Sequence, residues 1–388
     1  LPITDEVMLF YDQHYPRDNR ANGKMVITPA QALETWFTAV DPMPEVAGLH
    51  VVIDGLLALP ENLSSDEQRK RWARLNGEIP EIPVEVKDGK KCLAPAALYS
   101  RRRNGETPEL YAVYPYQTHM VGKPDLDVAI EAFKRRNTIT GGWSQESVNA
   151  AMLGLTEEAK RMVIESATAK NWGGKDDHPQ CRFPAFWGPN ADWIPDQDHG
   201  SVFITALQRM LMLTDGDTIN LLPAWPDDWN ATFKLHAPQQ TVVEGRVEDG
   251  KLFDLKVTPE SRRKDVVVMG KGEGPTDGAE KSGSRTVKSA VLKNYVGQFN
   301  ADDEASESNA ISNEEAFAFL VRNIPLLECP DKDIERAYYY RWWTYRKHLR
   351  QTEDGWVVTE FFPDIPHAKK HNTINGDLGY HFYEGRWL

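Results

Sequence analysis

Cysteine is scarce in this sequence. The chain has 388 residues and only 3 cysteines, Cys92, Cys181 and Cys329. They are far apart and odd in number, so neither a metal-binding spacing nor a disulfide framework organises the fold. No metal and no cofactor is expected. Long apolar runs are also missing. No stretch of about 18 consecutive apolar residues occurs, so no segment reads as a membrane-spanning helix. Positive charge is in deficit, with a formal net charge of −13 and the acidic residues dispersed. A nucleic-acid partner would need a basic stripe and is not expected. Leu1 is not a start methionine and no signal peptide precedes Pro2, so the chain is expected to be a piece of a longer protein. What is present is apolar mass, with 40% hydrophobic residues and 12 tryptophans. That is enough for two or more domains. The tryptophans fit a carbohydrate cleft, and equally any large core.

The most informative stretch is Asp192–Trp229, DWIPDQDHGSVFITALQRMLMLTDGDTINLLPAWPDDW. It opens with a loop holding Asp192, Asp196, Gln197 and Asp198, closed by His199 and Gly200. An apolar helix is expected over Ser201–Leu213, with Ser201 placed to cap it. Then comes Leu221–Trp229, where two prolines forbid helix and two tryptophans offer flat apolar faces. A carboxylate at the mouth of a buried helix, with indoles nearby, suits sugar chemistry: sugars present C–H faces to rings and hydroxyls to carboxylates. The plainer reading is that Asp198 sits before a helix N-terminus because the dipole favours an anion there.

Upstream, the pattern is mainly helical. Helices are expected over Asp5–Tyr15, Glu45–Leu63, Ser65–Leu75, Leu126–Arg136, Gln145–Gly154 and Glu157–Thr168. Asp88-Gly89-Lys90 reads as a turn. Arg101, Arg102 and Arg103 are either a solvated turn or contacts for an anionic sugar. The long irregular segment 170–200 holds Trp172, Phe183, Phe186, Trp187 and Trp193, and reads as the wall of a cleft. From Phe233 the period switches to two, giving three short strands with Asp249-Gly250 between the first two. Residues 271–289 read as a linker, and 302–309 as an acidic low-complexity stretch. Further helices follow over Glu314–Pro325 and Asp331–Leu349.

Several of these motifs together resemble family 95 glycoside hydrolases. The aspartate loop, the apolar helix with Met-Leu, and Leu221-Leu222-Pro223-Ala224 with Pro226 and Trp229 follow that family's late catalytic region. Pro29-Ala30-Gln31-Ala32-Leu33-Glu34 keeps the first proline and the glutamate of its Pro-Ser-Thr-Ser-Pro-Glu segment. Leu110-Tyr111-Ala112-Val113-Tyr114-Pro115 keeps a Leu-Tyr-x-x-Tyr-Pro run. The histidines before that run are not kept, and Glu109 stands where one would be. Gly142-Trp143-Ser144 before a helix is a further shared feature. The last 75 or so residues resemble the first helices of a second glycosidase module, of the trehalase and processing-glucosidase kind; a helical accessory domain is the alternative.

The resemblance implies a mainly α fold: a partial (α/α)6 toroid over residues 1–230, a small β domain over 231–270, a linker over 271–312 and the start of a second helical module over 313–388. It implies inverting, exo-acting hydrolysis of a fucoside- or galactoside-like side-chain sugar, on an oligosaccharide or polysaccharide partner, in a secreted or periplasmic protein. Glu34 takes the role of general acid and Asp198 that of the aspartate acting through water-holding asparagines, which would lie upstream of Leu1. Trp36, Trp187, Asp192, Trp193, Gln197 and His199 are expected to touch the sugar. Two alternatives stay open. One is an inactive carbohydrate-binding scaffold, favoured by the altered proline segment. The other is a polysaccharide lyase on the same toroid.

Overall fold

A computed structural model describes residues 1–18, 23–138, 144–168, 197–273, 287, 289–303, 310–361, 365–368, 370–374 and 378–385. The side chains of residues 198, 199, 378 and 380 lie outside the description. The chain divides into two units, Leu1–Ile139 and Thr140–Leu388. This boundary is not among those expected from composition, and residues 313–388 do not separate from 231–270.

The first unit begins with helix α1 (Pro2–His14), a short hairpin of β1 (Arg17–Asp18) and β2 (Lys24–Met25), and a second hairpin, β3 (Ala30–Ala32) and β4 (Trp36–Pro42). Helices α2 (Met43–Leu57) and α3 (Asp66–Glu78) follow. Pro44 lies in the first turn of α2, where its missing N–H costs nothing. A capping box starts α3: the Ser65 hydroxyl accepts from the Gln68 backbone N–H at 3.2 Å, and the Gln68 side chain accepts from the Ser65 N–H at 2.9 Å. The two helices bury Val46, Leu49, Ile53, Trp72 and Leu75 against Met8 of α1. The Trp72 indole N–H reaches Asp5 at 2.8 Å, so the polar end of this core residue is satisfied.

Strands β5 (Val84–Lys87) and β6 (Lys90–Leu93) turn at Asp88 and Gly89, both with positive φ, as the Asp-Gly pair requires of a tight hairpin. Strand β7 (Ala96–Arg102) then joins β4, giving the antiparallel order β3-β4-β7 with Trp36 opposite Arg102. A 3-10 turn (Pro108–Ala112) and helix α4 (Leu126–Arg135) complete the unit. The Asp88-Gly89 turn agrees with the sequence reading, while the sheet β3-β4-β7 departs from the mainly helical pattern expected over residues 1–230. Ala30-Gln31-Ala32 carries no β-branched residue, and its extended form comes from pairing with β4.

In the second unit, α5 (Glu146–Met152) and α6 (Thr156–Thr168) pack on α7 (Gln197–Leu211). Helix α7 starts four residues earlier than the expected cap. Ser201 is therefore inside the helix, and its hydroxyl donates to Glu384 at 2.9 Å instead of capping. Strands β8 (Met212–Asp215) and β9 (Thr218–Leu221) form a hairpin. The period-two segment forms β11 (Thr241–Glu248) and β12 (Lys251–Thr258), the first two expected strands, antiparallel with the turn at Asp249-Gly250 between them, and β10 (Ala231–Ala237) precedes them and pairs antiparallel with β11. The next run, β13 (Val266–Val268), instead pairs parallel with β9.

Helices α8 (Ser289–Ala301) and α9 (Asn313–Asn323) lead to β14 (Leu326–Glu328), which adds to β10 in the order β12-β11-β10-β14. Helix α10 (Lys332–His348) is capped by Asp331, which accepts from the N–H groups of Asp333 and Ile334 at 3.0 and 3.2 Å. It packs on α6 and α7. The hairpin of β15 (Leu349–Thr352) and β16 (Gly355–Val358) precedes α11 (Leu378–Gly385), which also packs on α7.

Candidate functional site: an aromatic and acidic cleft

The first unit holds a cleft of about 250 Å³. Its wall is Trp36 from β4 and Tyr99 from β7, meeting edge to face with ring centres 4.7 Å apart. The strand pairing places them: Trp36 opposite Arg102 sets the register, and Arg102 lies 5.8 Å from the Trp36 ring. Glu85 and Lys87 enter from β5, and Glu106 and Glu109 from the segment around the 3-10 turn. Drug-sized ligands occupy sites of roughly 300–1,000 Å³, so this cleft suits a single sugar ring better than a long chain.

Its carboxyls differ in environment. Glu85 is committed: the Tyr99 hydroxyl lies 2.9 Å from it and the Lys87 ammonium 2.7 Å away. Glu106 accepts at one oxygen from the Glu34 backbone N–H at 3.0 Å and from the Thr35 hydroxyl at 2.9 Å. Burial still raises its pKa, against those two bonds. Burial pushes Glu109 up to about 7, although its own backbone N–H, Lys87 and Arg102 all act to lower it. At neutral pH Glu109 is therefore divided between the acid and its anion, the condition suited to exchanging or sharing a proton.

Glu34 is exposed on the turn between β3 and β4, two residues from Trp36. The structure thus brings Glu34 and Trp36 to one hairpin beside the cleft. The spacing from Glu106 to Glu109, next to an aromatic run, was the available sequence signal for this site. Arg101, Arg102 and Arg103 are all exposed at the end of β7.

The second candidate locus is the start of α7, in the other unit. Asp198 lies in its first turn, not in an irregular loop as expected. Trp187, Asp192 and Trp193 fall outside the described residues, and of His199 only its place in α7 is described. Gln197 was expected to meet a sugar but is fully buried. Its side-chain oxygen accepts from Arg341 at 2.8 Å, its amide nitrogen lies 3.5 Å from Glu384, and its backbone N–H donates to the Glu360 carbonyl at 2.7 Å. Arg341 in turn forks onto Glu384 at 2.6 and 2.8 Å, with both side chains out of solvent. The position is structural in character, because its polar groups are engaged inside the protein. A neighbouring cavity lined by Thr205, Gln208, Tyr383 and Glu384 has a volume of only about 20 Å³, too small for a sugar.

Glu353, Asp354 and His371 bring potential metal-ligand atoms within 4.8 Å of one another. The Lys370 ammonium contacts both carboxylates and His371 lies 2.7 Å from Asp354, so a cationic side chain already serves these acids. No family model matches the chain, and no curated protein matches it either.

Proposed function

We propose that the protein is a glycoside hydrolase that removes a fucoside- or galactoside-like side-chain sugar with inversion. The observation that carries this reading is the cleft in the first unit, which two aromatic rings line together with half-buried carboxyls. Aromatic faces hold the C–H surface of a sugar, and inversion needs an acid on the leaving oxygen and a base-activated water on the opposite face. The volume fits one ring, in keeping with exo action. The family resemblance gives the acid role to Glu34, on the Trp36 hairpin, and the water-directing role to Asp198. The (α/α)6 toroid, the oligosaccharide or polysaccharide partner and a secreted or periplasmic location belong to the same proposal.

The test is a screen of the protein against aryl α- and β-glycosides of fucose and galactose. Glu34→Gln should lose most turnover on aglycones that leave poorly and less on strongly acidic ones, which need little protonation. Asp198→Asn should lose turnover on both. Unchanged hydrolysis by Glu34→Gln would remove the acid assignment. The scaffold alternative draws on the exposure of Glu34; binding without turnover of any glycoside would favour it.

A further inference from the structure

One carboxyl of the cleft has no task in the scheme above. Glu109 lies in the 3-10 turn Pro108–Ala112 and lines the cleft with Trp36, Tyr99 and Glu106. Among the described residues no side chain bonds it; its hydrogen-bond donor is its own backbone N–H. Its neighbours are engaged. Glu106 is held by Glu34 and Thr35, and Glu85 by Tyr99 and Lys87. We propose that Glu109 reads the sugar in this cleft: its carboxyl donates a hydrogen bond to an oxygen of a pyranose laid along Trp36.

The chemistry of the group supports this assignment. An ionised carboxylate only accepts hydrogen bonds, whereas a carboxylic acid donates one as well. The ring and glycosidic oxygens of a sugar only accept, so a group that reads them must bring a proton. Burial raises Glu109 to about 7, which keeps that proton in place below neutrality. The charged and titratable groups facing it from the surrounding elements are Glu85 and Lys87 on β5, Cys92 on β6, Tyr99 and Arg102 on β7, Glu106 beside it and Arg135 of α4. Lys87 and Arg102 favour its anion and Glu85 opposes it, and burial outweighs all three. A buried polar group left unpaired is costly, so a sugar lacking the matching acceptor is discriminated against at this residue.

This inference rests on the glycosidase reading and is tested separately by calorimetric binding of L-fucose and D-galactose to the full chain between pH 5 and pH 9. Affinity should be flat below about pH 6 and fall by up to about tenfold per pH unit above the pKa, as linkage to one proton requires. Glu109→Gln, which donates from an uncharged amide at every pH, should bind with no such fall. Glu109→Ala should lose binding throughout while keeping the far-ultraviolet circular dichroism of the parent. Binding that ignores pH in the parent, or a fall that persists in Glu109→Gln, overturns the role of Glu109 and leaves the glycosidase reading standing. Absence of both binding and turnover overturns the two together.

Discussion

Glu45 shows how burial can override a favourable field. It lies in the first turn of α2, where the helix dipole stabilises an anion. Yet burial raises its pKa from 4.5 to about 7, and one of its oxygens is buried with no hydrogen bond. The sign of the pH effect follows. The folded state holds the proton more tightly than the unfolded chain, so the stabilising contribution is complete below about 4.5 and is lost as pH rises through about 7. Glu45→Gln should therefore raise the unfolding free energy measured by urea denaturation at pH 8 by on the order of 1 kcal/mol after allowance for partial exposure, and change it little at pH 4. An equal gain at both pH values would contradict this account. At this scale the sequence was partly legible. Glu34 and Trp36, to which the family resemblance pointed, both belong to the hairpin beside the cleft. Gln197 misled, because its partners Arg341 and Glu384 lie far along the chain and no local pattern announces them.

Among the elements, β11 and β12 were legible because alternation with one buried face is a local signal, and Asp-Gly marks its own turn. Strand β3 was not, since its residues are extended only by pairing. Helix α7 was found, but its start was misplaced: Ser201 looks like a cap until Glu384 arrives to accept its hydroxyl. In β11 the alternation conceals a steric requirement at Gly245, which sits at a register shift between Glu244 and Arg246. A Cβ there would lie 2.8 Å from the Phe233 ring and 3.1 Å from Leu252. Gly245→Ala should destabilise the second unit by about 1–3 kcal/mol, the range for overpacking a filled core. Chemical denaturation measures it, and a neutral result would mean that Phe233 moves aside at no cost.

For the whole chain, composition set the broad class: helix-rich with small sheets, with no described helix long and apolar enough to cross a membrane. Composition misled on boundaries, because a segment rich in glycine and lysine looks like a border between bodies. Residues on its two sides meet again in the β10–β14 ladder and in the contacts of Arg341 and Glu384 with Gln197 and Ser201. A protease cut within residues 274–286 should therefore leave two pieces that co-elute on size exclusion and part only in denaturant; pieces that separate in native buffer would refute the shared core. The same contacts impose an order in time. Gln197 and Glu384 are 187 residues apart in the chain. At a synthesis rate of roughly 5–20 residues per second, Gln197 leaves the ribosome roughly 10 to 40 s before its partner exists. During that interval the first turn of α7 cannot bury its polar groups in their final bonds, so the second unit completes its folding only after the last helix has been made.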